Sequence, residues 1–240
     1  MKLYDITREL FSTAIYPGDP VPAAEPVNEI RKGDAFNLTR ITLGTHSGTH
    51  MDAPWHFIPE GKTIEEITLE QTIGPCHVVA LEGKVTREML EPVVPKGCER
   101  LLIQGEIELT CEGAGYLAEK RLQLLGVEGM NVGSEETCTE IHRTLLGTGM
   151  VILENLDMSK AAPGQYVLVA APLRMKGMDG SPVRAVLMEG ENLHLTPKCE
   201  TASASGNGRV IRLGADADPP QQGHLGDVRI PLAVPQNAGG

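Results

Sequence analysis

The sequence predicts a mixed α/β fold on three observations. Seven short β-branched or aliphatic runs are spread over the first 187 residues, three stretches with helix-end chemistry lie among them, and Gly/Pro-rich turns punctuate the rest. The strand-like runs are Leu3–Thr7, Leu38–Leu43, His77–Leu81, Arg100–Gln104, Met150–Glu154, Tyr166–Ala170 and Val183–Leu187. A first, short helix is predicted over Thr86–Leu90, with Thr at its cap. A second, over Ala114–Leu125, sets Leu117, Leu122, Leu124 and Leu125 around a helical period and closes at Gly126 as the C′ residue. A third starts at Ser134 as N-cap, carries Glu135 and Glu136 where the helix dipole favours acids, and ends before Gly147. The runs Tyr16-Pro17-Gly18-Asp19-Pro20 and Asp179-Gly180-Ser181-Pro182 read as tight loops. With aromatics at only 3%, the core must be built from Val, Ile, Leu, Ala and Met.

The character changes after Leu187. The last 53 residues hold no aromatic and are rich in Gly, Pro, Ala and Asp. The expected organisation is therefore one domain over residues 1–187 and an extension over 188–240, either poorly ordered or adding edge strands from Val210–Leu213 and Val228–Val234.

Charge and length exclude several classes of function. A net charge of −11 with scattered Lys and Arg provides no positive footprint for nucleic acid or an anionic membrane surface. No apolar stretch nears the roughly 20 residues that span a bilayer, and Asp5 and Glu9 stand where a signal peptide needs an apolar run. A cytoplasmic protein is expected. Five cysteines, Cys76, Cys98, Cys111, Cys138 and Cys199, form no CxxC pair and read as free thiols without a visible activating partner.

Chemical information concentrates in Gly44–Phe57. His46, His50, Asp52 and His56 place three of the seven histidines and one carboxylate within eleven positions. Imidazole and carboxylate are the usual ligands of zinc, manganese and iron, and a catalytic site takes about three protein ligands with a position left open for water. His46, His50 and Asp52 fit that set. Gly44, Gly48 and Pro54 forbid a continuous helix, so the ligands are expected on a strand running into a loop, fed by Leu38–Leu43. Without a shared cation, such a cluster would cost stability.

The stretch His-Ser-Gly-Thr-His-Met-Asp-Ala-Pro-Trp-His-Phe, residues 46–57, resembles the HxGTHxDxPxH signature of the metal-dependent cyclase superfamily, which includes bacterial kynurenine formamidase and isatin hydrolase. Further segments match in order: Asp5-Ile6-Thr7, the Tyr16–Pro20 turn, Gly61–Ile64, Gly115–Leu117, His142–Gly147, Ile152–Leu156, Pro172-Leu173 and Asp179–Arg184. The resemblance covers about residues 1–187. It implies a β-barrel-like mixed sheet, the swivelling β/β/α domain, in a homodimer. His46, His50 and Asp52 correspond to metal ligands, His142 and Glu154 to a second ligand group in members with two ions, and His56 to the catalytic histidine. By themselves His142 and Glu154 are unremarkable; only the resemblance promotes them. It implies divalent metal, two zinc ions with manganese as the alternative, and Asp52 or Glu154 as the bridge. The activity implied is hydrolysis of a small-molecule amide as in arylformamidase, with His56 delivering a proton to the departing nitrogen, which an imidazole titrating near neutral pH can do. The alternative is a cyclic amide or lactone hydrolase, or a cyclase, of the isatin hydrolase kind; a non-catalytic metal-binding module ranks behind both. Tyr16 stands where kynurenine formamidases tend to carry Trp, and Trp55 is a candidate pocket wall. His77 reads as a core or edge histidine, and His194 and His224 as solvated.

Overall fold

The computed structural model describes residues 1–190. His194, His224, Cys199 and the apolar clusters expected as edge strands in the extension lie outside the described residues. Among the described residues no helix is long and apolar enough to cross a membrane.

Four parallel strands form the middle of a nine-stranded sheet: β5 (Ile73–Ala80), β7 (Arg100–Gln104), β9 (Leu124–Val127) and β10 (Val151–Glu154), in that spatial order. Parallel strands are covered on both faces and so read as unbroken apolar runs. That is why Arg100–Gln104 is exact in the sequence reading and Met150–Glu154 is off by one residue. Antiparallel strands flank them. Beyond β5 come β11 (Gly164–Val169), β13 (Val186–Glu189) and β1 (Lys2–Asp5); beyond β10 come β4 (His50–Asp52) and β12 (Gly180–Pro182). Past its end, β1 turns to meet β10: Thr7 bridges Leu156, and Asp157 N donates to Ile6 O at 3.0 Å. This contact curls the sheet into a half-barrel.

Alternation along the strands divides the interior in two. Leu102, Leu153, Leu168 and Leu187 point into the curl with Ile6 and Met51. Leu101, Ile103, Leu125 and Ile152 face the helices α2 (Arg87–Leu90), α3 (Cys111–Glu119) and α4 (Cys138–Leu146), packing on Leu90, Leu117 and Ile141. A short α1 (Leu69–Thr72) leads into β5, and β6 (Gly83–Val85) pairs in parallel with β8 (Ile107–Leu109). Separate from these, β2 (Ala23–Asn28) and β3 (Leu38–Thr42) form a two-stranded hairpin exposed along nearly its whole length.

Several expectations are corrected. The second helix stops at Glu119, where Arg121 turns left-handed (φ 56°), and Leu124–Val127 is the buried strand β9. Apolar spacing cannot separate a buried strand from a helix, and burial between β7 and β10 decides. Gly126 is thus no helix cap: it is inside β9, where a Cβ would lie 3.0 Å from Leu102 Cγ. The third helix begins at Cys138, because Ser134 and Thr137 are tied to each other in a turn. The β5 strand starts four residues before His77, and His77 sits half-buried within it as expected. Gly180–Pro182 forms an edge strand; at a free edge Pro costs no ladder bond. The last strand among the described residues is Val186–Glu189, continuing past Leu187. Finally, β3 belongs to the hairpin and does not feed the site from the main sheet.

Candidate metal centre

The site lies where β4 and β10 face α4. Strand alternation sends Met51 into the curl and leaves His50 and Asp52 on the helix side. Glu154 stands directly opposite His50 in the β4–β10 register. The amphipathic α4 turns His142 inward beside Ile141 and Leu145. His46 arrives from the loop before β4, and His56 from the single 3-10 turn Pro54–His56 after it. All six residues singled out from the sequence therefore converge, with the correction that the histidines and acid bracket a three-residue strand.

Two imidazoles have their tautomers set by backbone: His50 Nδ1 donates to Gly48 O and His142 Nδ1 to Cys138 O, each at 2.8 Å. Their Nε2 atoms are left facing carboxylates. His50 Nε2 lies 3.5 Å from Asp52 Oδ1 and 3.4 Å from Glu154 Oε2. His142 Nε2 lies 3.5 Å from Asp52 Oδ2 and 3.5 Å from Glu154 Oε1. These separations are long for hydrogen bonds but fit donors sharing a cation, since ligands at about 2.1 Å on a tetrahedral ion are about 3.4 Å apart. Asp52 Oδ2 and Glu154 Oε1 are also buried without a hydrogen-bond partner, which a native interior does not leave uncompensated. The donors sort into two sets, one oxygen of each carboxylate going to each.

His46 is held between two acids, with Nδ1 2.8 Å from Asp52 Oδ1 and Nε2 2.9 Å from Asp179 Oδ2. In sequence Asp179 belongs to a tight turn and to a segment of the family resemblance, and neither marks it as a site residue. Burial opposes charge on His46, but the bonds to Asp179 and Asp52 outweigh it and push its pKa up to about 10. On His142, burial is likewise outweighed, chiefly by Asp52, and its pKa is pushed up to about 12. His50 rises against burial through Glu154 and Asp52, while Asp52 and Asp179 are held well below the carboxylate range, Asp52 by His142 and His46 against its complete burial and Asp179 by His46 and His56. The site thus draws in positive charge, and where no cation balances the acids, protons do.

A cavity of about 280 Å³ opens onto His46, His50, His56, His142 and Glu154, walled by Leu10, Ile15, Tyr16, Phe57 and Met130, with Asn155 and Cys138 at its polar side. Trp55 does not line it and is 43% exposed; the aromatic rings that do are Tyr16 and Phe57, the latter stacked on His142 with centroids 4.5 Å apart. Asn155 is in left-handed conformation (φ 59°) at the end of β10, and its carbonyl accepts from Thr49 Oγ. Phe57 and Asn155 lie in segments that carry the resemblance, but neither was a candidate site residue in the sequence. Cys138 does have a neighbour that the sequence reading missed: its Sγ is 3.4 Å from His142 Nδ1, one helical turn on, and this contact lowers the thiol pKa.

A half-barrel sheet presenting four imidazole and carboxylate donors and a further histidine to one small cavity, with the buried Asp52 behind them, defines a metal-dependent α/β protein. Residues 4–134 match the Cyclase family model. A kynurenine formamidase of Bacillus cereus is 32% identical over 189 residues, covering 72% of this chain and 90% of that protein. The chain belongs to the Cyclase family. Among solved structures, one described as a predicted metal-dependent hydrolase from Bacillus stearothermophilus is 27% identical with a TM-score of 0.68, over 78% of this chain and 97% of the other. Isatin hydrolase A from Labrenzia aggregata shares the fold, with TM-score 0.68 at 22% identity over 78% of this chain and 93% of its own.

Proposed function

We propose that the protein is a metal-dependent amide hydrolase acting on a small N-formyl or N-acyl aryl amine, as kynurenine formamidase does. The observation that carries this reading is the pairing of a donor set, buried at His50, Asp52, His142 and Glu154 and partly buried at His46, with His56, a free-edged imidazole on the wall of the same cavity. His46, His50, Asp52, His142 and Glu154 would hold the divalent metal, two ions if Asp52 or Glu154 bridges them; zinc would suit the nitrogen-rich set, manganese being the alternative. Asp52, Glu154 and Asp179 bring three negative charges, so two divalent ions leave the site at +1, the sign that favours a developing oxyanion. Bound there, the metal would polarise the amide carbonyl and bring the pKa of water to about 7.

The protein's own groups supply the rest. His56 Nδ1 donates a hydrogen bond to Asp179 at 3.3 Å, leaving Nε2, once it has picked up a proton from water, to protonate the departing nitrogen. Leu10, Ile15, Tyr16, Phe57 and Met130 exclude water and receive a flat aromatic body. Tyr16 takes the aromatic role on the wall, so a kynurenine-type substrate, and with it tryptophan catabolism in the cytoplasm, is the reading adopted. The working unit is a homodimer: a two-stranded hairpin is marginal in water, and Val27, Leu38 and Ile41 on β2–β3 are 49%, 48% and 55% exposed until a second copy covers them.

The test is metal analysis of purified protein combined with turnover of N-formylkynurenine, isatin and simple esters. Preference for the formamide, lost on chelation and restored by zinc or manganese, supports the proposal. Preference for isatin favours cyclic amide hydrolysis, and metal without turnover makes the chain a binding module.

A further inference from the structure

We propose that Asp179 is a positioning residue shared by the cation site and the proton donor: one carboxylate oxygen sets the ring tautomers of His46 and His56 together. The inference rests on the hydrolase reading above.

An ionised carboxylate only accepts hydrogen bonds. Asp179 accepts three, from Thr45 Oγ on Oδ1 at 2.9 Å, and from His46 Nε2 at 2.9 Å and His56 Nδ1 at 3.3 Å on Oδ2. Both ring protons are thereby assigned. When the His46 ring is neutral its remaining hydrogen is held on Nε2, which frees Nδ1 on the Asp52 side for a cation, while His56 carries hydrogen on Nδ1 and keeps Nε2 as the exchanging atom. The two rings lie against each other with centroids 4.0 Å apart, so they are oriented as a pair.

The carboxylate is itself well anchored. The Asp179 carbonyl accepts from Ala53 N at 2.9 Å, next to Asp52 in chain, and Gly180 pairs with Asp52 across β12 and β4. Gly180 also has to be glycine, because a Cβ there would lie 2.7 Å from His46 Cε1. In His50 and His142 a backbone carbonyl does the equivalent work for one ring each. Asp179 is the one acceptor in the site that serves a ligand and the proton donor at once.

The experiment compares wild type, Asp179→Ala, Asp179→Asn, His56→Ala and the double variant Asp179→Ala/His56→Ala. Zinc affinity of the metal-free proteins is measured by chelator competition, with kcat on N-formylkynurenine and on an activated ester. An Asn oxygen can accept from both rings while its NH2 donates to Thr45, so Asn is the conservative rescue. Asp179→Ala is expected to weaken zinc about 10–100-fold and to lower formamide kcat by a similar factor. The ester should suffer less, because its leaving group needs little protonation. Asp179→Asn should recover most of both losses. In the His56→Ala background the Ala substitution should still weaken zinc but lower kcat at saturating metal by less than about threefold further, since the two residues act as a unit. Unchanged zinc affinity in Asp179→Ala, an Asn variant as impaired as Ala, or full additivity with His56→Ala would overturn the inference. Wild-type protein that binds zinc yet hydrolyses no amide overturns the functional reading instead, and the affinity measurements then decide Asp179 alone. Thermal melts of the metal-free variants separate any misfolded protein from these outcomes, with Asn as the variant that keeps the hydrogen-bond pattern.

Discussion

Each imidazole in the centre is defined by what its second nitrogen does, and the consequences can be measured residue by residue. His50→Ala removes the nitrogen that faces Asp52 and Glu154, so both bound metal and activity are expected to be lost; wild-type metal stoichiometry in that variant would remove His50 from the ligand set. His56→Ala should keep its metal and lose roughly 10²–10⁴ in formamide turnover, the range of a positioned acid–base group, with a smaller loss on an activated ester. Equal losses on the two substrates would make His56 a base or a ligand. The raised imidazoles also set a pH dependence. A histidine whose pKa is higher in the folded state stabilises the fold below its unfolded value of about 6.5, and that contribution fades as pH climbs toward the folded value. With His46 at about 10, the metal-free protein should lose melting temperature progressively above pH 6.5. Metal has to displace those protons, so zinc titrations at pH 8 in buffers of different ionisation enthalpy should show net proton release. No release would mean that the imidazoles are already neutral.

The elements do two jobs, building the two apolar layers and presenting the site at one face. Leu102 is fully buried in the middle of β7, and Leu102→Ala should cost about 2–5 kcal/mol in denaturant unfolding. On β12, Gly180→Ala forces a Cβ toward His46, so this variant should fold, because the strand is at an edge, and bind zinc about tenfold or more weakly. Retained wild-type affinity would show that the His46 ring has room to move. Among the described residues the β2–β3 hairpin has neither a second layer nor a third strand, and it is the surface that the proposed dimer would cover. Ile41→Glu should weaken dimerisation at least about tenfold in sedimentation or light scattering, equivalent to about 1.4 kcal/mol; a chain that is monomeric before substitution removes the dimer proposal.

For the whole molecule, the half-barrel closes because β1 and its continuation bond to both β13 and the end of β10. The strand that completes this closure, β13, runs to Glu189, so truncation after residue 190 is the cut that keeps the sheet intact. That truncated protein is expected to fold, hold metal and melt within a few degrees of the full chain. Metal-free or insoluble product would show that the remaining residues complete the domain. A cation that binds only the folded chain also stabilises it by mass action, by about 4 kcal/mol at a thousand times Kd, so chelation should lower the melting temperature of wild type and leave that of His50→Ala unchanged.

The sequence by itself determined the α/β class, three of the four central strands and the dense group of His46, His50, Asp52 and His56, because unbroken apolar runs and closely spaced ligands are local signals. His142 and Glu154 were legible only through resemblance, since a lone histidine on a helix and a glutamate ending a strand are ordinary until β10 sets Glu154 against His50. Tertiary structure alone decided the rest. Leu124–Val127 has the spacing of a helix and becomes a strand because β7 and β10 supply hydrogen bonds on both sides. Asp179 reads as turn chemistry until β12 pairs with β4 and brings its carboxylate, more than 120 residues away in sequence, to His46 and His56. Such contacts pair residues distant in the chain, and no local pattern of composition or spacing records a partner that only the closing of the sheet provides.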